Sequence, residues 1–275
     1  MEKHIQSQIA STETPIIEFK DQNFKGEFTT IYNQRGYCVI QFKGNGSLKT
    51  AEENIWLLQH FLGTPVMVKN NDGSFLTRIT TDPEAYPDNV FRPVSDNGLQ
   101  SPHCDGAYEK NPPSNIVMYV YQRAETGGES LIMPGTDLIE KCGDGLLTSL
   151  LSKSFYTVAR GENRMQTRPV LTIGEDLIQI CWADHEYMQP NNLIVPSEHQ
   201  KAFREFQEIV LDEANQTKLM LQEDQALVVN NHSTLHGRSP FKGDRELSRL
   251  WTESKPGLNN GILDRTLVER LKALK

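Results

Sequence analysis

At 275 residues, with 37% hydrophobic and 23% charged residues, the chain can bury a sizeable core and has the make-up of an ordinary water-soluble globular protein. Its formal charge of −8 excludes a general nucleic-acid surface, which needs clustered Lys and Arg. Its apolar runs fall far short of a membrane span, so no membrane partner is expected. Cys38, Cys104, Cys142 and Cys181 are widely spaced and form no CxxC pair, which argues against a thiolate zinc site and for reduced thiols in a cytoplasmic protein. Residues 1–9 lack the apolar stretch of a signal peptide.

Residues 1–15 are polar and read as a flexible arm, with 16–275 a single domain. Ile16-Ile17-Glu18-Phe19 reads as a first short strand. Residues 27–34 read as a helix ended at Gly36, followed by a strand, Tyr37-Cys38-Val39-Ile40-Gln41-Phe42, bounded by Gly36 and Gly44. Gly44-Asn45-Gly46 is a turn and no phosphate loop, because no GxGxxG or GK[ST] follows. Ser47 caps a helix over 49–61, with Ile55, Leu58 and Leu62 on one face and Gly63 at its end. Strands are expected at 66–68 and 75–79. Residues 81–99, with Pro83, Pro87, Pro93 and Gly98, read as a long loop suited to covering a substrate.

Residues 115–121 form a continuous apolar run that suits a buried strand. A turn over 126–130 leads to a strand at 131–133, and 137–153 reads as a helix. Further strands are expected at 155–158, 170–173, 177–180, 226–229 and 247–252. Residues 197–214 read as an amphipathic helix opening with Ser197 and Glu198, and 262–275 as a helical tail. Many short strands with a few peripheral helices predict a mostly β fold, a double-stranded β-helix or jelly roll. An α/β sandwich would need strands and helices to alternate more regularly.

The chemistry centres on Pro102-His103-Cys104-Asp105-Gly106. On extended backbone, residues i and i+2 share a face, so His103 and Asp105 can reach one metal ion. A second neutral imidazole would complete the two-histidine, one-carboxylate face of non-haem Fe(II) oxygenases. An HxD tripeptide alone is a weak signal, since a loop histidine near a turn carboxylate is common. Leu235-His236-Gly237-Arg238 offers the second imidazole near the end of a buried strand. Arg245 and Arg249 follow, four residues apart, and a strand at 247–249 beside His236 would aim one guanidinium into the same cavity. Arg offers a rigid fork for a carboxylate, against the plainer alternative of a surface ion pair with Asp244 or Glu246.

Four blocks in order, His103-Cys104-Asp105, Thr126-Gly127-Gly128-Glu129-Ser130, Asn231 with His236-Gly237-Arg238-Ser239-Pro240-Phe241, and Arg245 with Arg249, resemble the taurine dioxygenase and clavaminate synthase-like superfamily. Its members are Fe(II)- and 2-oxoglutarate-dependent dioxygenases. The resemblance runs from Gly36 to Trp251, with the metal-binding core at about 99–252. It implies that His103, Asp105 and His236 bind Fe(II), that Arg245 and Ser130 hold the distal carboxylate of 2-oxoglutarate, and that Arg249 binds an anionic group of the substrate. The roles of Arg245 and Arg249 can be exchanged within the pattern. Tyr108 and Glu109 are expected to line the substrate pocket, with ordinary packing the alternative for Tyr108. Arg238 either joins Arg249 at the substrate or fixes the loop after His236. His232 is a rival for the second histidine ligand, but the Gly-Arg-Ser-Pro-Phe tail attaches to His236. His185 matches no motif and is expected to be structural or a substrate contact. The family's middle residue is often Thr or Ser where this chain has Cys104, a side chain expected to point away from the metal.

The function that follows is oxidation of an unactivated C–H bond in a small amino-acid-like or anionic substrate, with O2 consumed and succinate and CO2 released. Hydroxylation is the default outcome, with desaturation or cyclisation as variants. The rivals are a cupin-like metal- or ligand-binding protein without turnover and a zinc hydrolase. The hydrolase lacks an HExxH segment or similar general base.

Overall fold

The structure, a computed structural model, describes residues 15–19, 23–68, 74–81, 97–160, 164–184 and 192–275. Its strands in chain order are β1 (Ile16–Glu18), β2 (Tyr37–Gln41), β3 (Pro65–Val66), β4 (Leu76–Thr80), β5 (Gln100–His103), β6 (Asn115–Gln122), β7 (Thr126–Gly127), β8 (Ser130–Pro134) and β9 (Tyr156–Ala159). The later strands are β10 (Met165–Arg168), β11 (Leu171–Ile173), β12 (Ile178–Ile180), β13 (Leu193–Ile194), β14 (Thr217–Leu219), β15 (Gln225–Asn230), β16 (Thr234–Arg238), β17 (Phe241–Lys242) and β18 (Glu246–Thr252). The helices are α1 (Phe24–Arg35), α2 (Leu48–Leu62), α3 (Gly135–Lys141), α4 (Asp144–Leu150), α5 (Gln200–Leu211) and α6 (Arg265–Ala273).

Two sheets make the double-stranded β-helix. The larger is seven-stranded, in the order β1-β2-β15-β6-β18-β3 with β4 also paired to β18. The smaller has the order β14-β8-β16-β5. Period-2 alternation along the larger sheet separates two cores. Tyr37, Val39, Ile116, Val120, Leu227, Val229, Leu247 and Trp251 pack inward with Ile132 of β8. Cys38, Ile40, Val117, Tyr119, Ala226, Val228 and Leu250 face the other way, against Phe28, Ile31 and Tyr32 of α1 and Ile55, Leu58 and Leu62 of α2. The sheet is thus covered on both faces, which is why residues 115–121 read as an unbroken apolar run instead of an alternating one.

The local signals around α2 act as expected. The Ser47 hydroxyl accepts from Thr50 N at 3.3 Å, and Gly63 N closes the last turn on Gln59 O at 3.1 Å. Other elements depart from the sequence reading. The helix expected over 137–153 is two helices, parted where Cys142 and Gly143 are extended, because glycine is a weak helix former. The helix expected to open at Ser197 begins as a 3₁₀ turn, Ser197–His199, and becomes α-helical at Gln200. Ser197 makes no cap; its hydroxyl meets Glu198 instead, and Pro196 with its fixed φ sets the tight turn. Asp212 then breaks the helix, its carboxylate accepting from Ala214 N at 3.0 Å. Strands β10 and β14 add pairs that the sequence reading did not contain, and the tail helix starts at Arg265 behind an Asp264 cap. The arm at 1–14, most of the expected substrate-covering loop (82–96) and His185 lie outside the described residues. No described helix is long and apolar enough to cross a membrane.

The outer core carries stability without touching the space between the sheets. Leu58 is completely buried there. Leu58→Ala is expected to cost about 2–5 kcal/mol, read as a lower urea midpoint at unchanged slope. A loss below about 0.5 kcal/mol would show that α2 is not packed as described.

Candidate metal centre

The site begins with one strand pairing. His103 ends β5, and the antiparallel register of β5 with β16 sets it directly opposite His236. Opposed residues share a face, and Ile132 of β8, opposite His236 on the other side, belongs to the inner core. Both imidazoles therefore enter the space between the sheets, with ring centroids 4.9 Å apart. Gly237 makes the close approach possible. A Cβ there would lie 2.4 Å from Gln100 O and 2.9 Å from Pro102 N, both backbone atoms.

Asp105 follows two residues after His103, just before the chain turns at Gly106 with φ +70°. Asn231, fully buried, holds the turn with three bonds. Its Oδ1 accepts from Asp105 N at 2.9 Å, and its Nδ2 donates to Asp105 O at 2.9 Å and Pro113 O at 2.8 Å. His103, Asp105 and His236 each bring a ligating atom within 4.8 Å of the others. His103 Nε2 is 3.5 Å from Asp105 Oδ1, and His236 Nε2 is 3.9 Å from Asp105 Oδ2. His103 Nδ1 lies 2.8 Å from Ser101 O; a carbonyl can only accept, so Nδ1 carries a proton and Nε2 is the nitrogen turned towards Asp105.

Electrostatics prepare the same atoms. Burial pushes the His236 pKa down to about 3, against the pull of Asp105, so the ring is neutral and able to ligate. Burial alone would raise the Asp105 carboxyl, but the charge of Arg249, foremost, outweighs it and holds it well below the usual carboxylate range. Two imidazoles and one carboxylate on one side of a cavity fit a divalent transition-metal ion such as Fe(II). His232, the rival ligand, stays outside this cluster and faces a separate cleft with Arg168 and Cys181.

The larger sheet closes the site from the opposite side. β18 does not lie beside β16, as the sequence reading had it, but pairs with β6, β4 and β3 in the other sheet. Arg249 reaches across, its Nη1 donating to Asp105 Oδ2 at 2.9 Å. Trp251, two residues on and on the same face, donates Nε1–H to the same oxygen at 2.8 Å. The sequence reading missed Trp251, although period 2 from Arg249 points to it.

Arg245 is 8% exposed. It stacks over Phe241 at 5.7 Å and lies beside Gly128, where an added Cβ would meet its Cδ and Nε at 3.4 Å, and no carboxylate among the described residues pairs with it. Burial, then the nearby charge of Arg238, brings its pKa down to about 9. Ser130 on β8 opposes Arg238 in register and shares the face of His236. Arg238 itself bonds Gly98 O at 2.5 Å and Ser239 O at 3.3 Å and stacks over Phe241 at 4.6 Å, contacts that hold the loops around β16. Tyr108 is buried, close enough to Asp105 and Arg249 to feel their charges, and its hydroxyl accepts from Arg160 Nη1 at 2.5 Å. Glu109 pairs with Arg164 at 3.1 Å instead of facing the cluster alone.

Two measurements check this geometry. Trp251→Phe keeps the packing and removes one donor to Asp105, so Fe(II) affinity should fall by about tenfold, read by competitive chelator titration; unchanged affinity would mean the indole does not orient the carboxylate. The second is acid unfolding of the metal-free protein. An unfolded histidine titrates at about 6.5, whereas folded His236 titrates at about 3 and His232 at about 4. The unfolded chain therefore binds more protons through this window, and stability must fall as pH drops from about 6.5 towards 4. Asp105, held below its unfolded value, adds a further loss only below about pH 3.9. A urea midpoint that stays flat from pH 7 to about 4 contradicts neutral, buried imidazoles.

Comparison with known proteins places these features. Trimethyllysine dioxygenase of Meyerozyma guilliermondii is 24% identical over 165 residues, covering 54% of this chain and 40% of the relative, so the chain spans about two fifths of that protein's length. Among solved structures, the non-haem iron oxygenase OrfP, in complex with Fe and α-ketoglutaric acid, superposes with a TM-score of 0.65 at 17% identity, over 85% of this chain and 80% of its own. An asparagine oxygenase in complex with Fe(II), 3-hydroxyasparagine and succinate superposes with a TM-score of 0.66 at 15% identity, over 91% and 89%. At those identities the likeness is one of fold. The family model for taurine catabolism dioxygenase TauD, TfdA family, matches residues 16–251, most of the chain, and with that match the protein belongs to the TauD/TfdA dioxygenase family.

Proposed function

We propose that this chain is an Fe(II)- and 2-oxoglutarate-dependent oxygenase that hydroxylates an unactivated C–H of a small amino-acid-like or anionic substrate. The observation that carries the reading is the cluster of His103, Asp105 and His236, whose ligating atoms lie within 4.8 Å of one another between the sheets. Those three would hold the iron. The bound iron and 2-oxoglutarate would together supply O2 activation, with decarboxylation of the co-substrate to succinate.

The chain's own residues do the rest. Arg245 would take the distal carboxylate of 2-oxoglutarate, with the Ser130 hydroxyl on the same face. A buried guanidinium without a carboxylate partner among the described residues is costly alone, and an anionic co-substrate offsets that cost. Arg249 would hold an anionic group of the substrate. Its Nη1 is engaged by Asp105, but its Nε is buried without a partner, so one edge of the fork is left to a ligand. Tyr108, and Arg238 through the loops it holds, would shape the substrate side. Inner-core side chains such as Ile132, Leu247 and Trp251 exclude water around the reacting carbon. The relatives' names point to amino acids: asparagine, arginine derivatives and trimethyllysine.

The two arginines should fail differently when truncated. Arg245→Ala removes a buried charge-assisted fork, worth about 2–5 kcal/mol, and should raise the apparent constant for 2-oxoglutarate tens-fold or more. It should also slow substrate-free succinate formation. Arg249→Ala also removes a donor to Asp105, so it is assayed at saturating Fe(II); there it should leave the uncoupled reaction nearly intact and weaken productive substrate binding. The test is a calorimetric titration of each variant with 2-oxoglutarate in the absence of substrate. Loss of binding in Arg249→Ala alone exchanges the two roles, and no loss in either variant removes the oxygenase reading in favour of a ligand-binding protein.

A further inference from the structure

Behind the metal loop lies a second cleft, of about 390 Å³, lined by Lys110, Arg168, Cys181, His232 and Glu253 among others. A pair of thiols meets at its wall. Cys104 N donates to Trp182 O at 2.7 Å, which draws residue 104 up against the 180–182 segment. Cys104 is buried and turned away from the metal ligands, with its Sγ 3.5 Å from Ile180 O and beside the Cys181 thiol. Cys181 is half-buried and opens to the cleft. Arg168 Nη1 donates to Cys181 Sγ at 3.0 Å, and its Nη2 to Glu109 O at 2.7 Å. Among the described residues no carboxylate pairs with Arg168, and its Nε is buried without a partner. The charge of Arg168 is thus left to the sulfur.

From this geometry we propose that Cys181 is a peroxide-reactive thiolate and Cys104 its resolving partner, and that the disulfide they form loosens the iron site. The electrostatics agree: the hydrogen bond from Cys104, with Arg168 nearby, overcomes burial and brings the Cys181 thiol down to about 6. In the first step the Cys181 thiolate attacks one oxygen of hydrogen peroxide. The O–O bond breaks, sulfur is oxidised to a sulfenic acid, and hydroxide leaves. In the second step the Cys104 sulfur attacks the Cys181 sulfur. An S–S bond forms, the S–O bond breaks, and the Cys104 proton leaves with that hydroxyl as water. Overall two thiols and one peroxide give one disulfide and two waters. Cys104 Sγ already lies 3.5 Å from Ile180 O, the carbonyl one residue before Cys181, so little movement separates the two sulfurs from bonding. Cys104 stands between His103 and Asp105, so a bond that pulls on it moves both ligands.

The experiment treats the full-length chain, stripped of metal by chelator, with hydrogen peroxide and maps its peptides by mass. The expected result is a loss of two hydrogens, a cross-linked pair of peptides carrying residues 104 and 181, and reversal by a dithiol. The bridged protein should bind Fe(II) at least about tenfold more weakly than the reduced form. Cys104→Ser should stop at the sulfenic acid, trapped on Cys181 by dimedone, and Cys181→Ser should leave Cys104 unoxidised at the same dose. Oxidation that falls on Cys38, Cys142 or exposed Met165 while Cys181 stays reduced overturns the proposal. So does a 104–181 bridge that leaves Fe(II) affinity unchanged.

Discussion

The approach of β5 to β16 is the constraint on which the rest of the molecule depends. Those strands are brought together from distant parts of the chain, and only their register puts His103 opposite His236. A slip of one residue would turn either imidazole out of the space between the sheets. Gly237 admits the contact because β5 backbone fills the place of its missing side chain. Asn231, just before β16, then ties Asp105 and Pro113 to the same structure with three bonds. One short segment, 231–237, thus supplies a proposed ligand, a close approach and a clamp.

The larger sheet divides its labour between its faces. The outer face is apolar and packed under α1 and α2, where burial stabilises the fold. The inner face carries Arg249 and Trp251 up to the Asp105 carboxylate. With Arg245 and Arg238, the described residues of the inner space carry more positive than negative charge although the whole chain is at −8. Buried cations are costly unless something anionic meets them. A dicarboxylate co-substrate and an anionic substrate are the partners that such a cavity suits.

Much of this was legible in the sequence, and what was not has a physical cause. Apolar runs and turn residues marked β6, β15 and α2 because those elements are held by ordinary burial and capping. β16 escaped hydrophobic periodicity because its buried positions include His236 and Arg238, polar residues retained for the site. The motifs around it, and their likeness to a known family, placed His236 instead. The strand of Arg249 was expected beside His236 and lies in the opposite sheet, since spacing along a chain says nothing about which sheet a strand joins. Trp251 was given no role; its indole N–H matters only once Asp105 is known to lie opposite. The departure at Cys104 was legible as a letter, but its meaning appears only beside Cys181 and Arg168, which no local pattern connects to it.

One cavity is proposed to bind iron through His103, Asp105 and His236, with 2-oxoglutarate beside it. Anaerobic addition of 2-oxoglutarate to the Fe(II) protein measures both at once, because chelation of ferrous iron by an α-keto acid gives a weak charge-transfer band in the visible. The account predicts that band in the wild-type protein at one iron per chain, and its absence in His236→Ala. Iron bound at one per chain with no band on adding 2-oxoglutarate would contradict it.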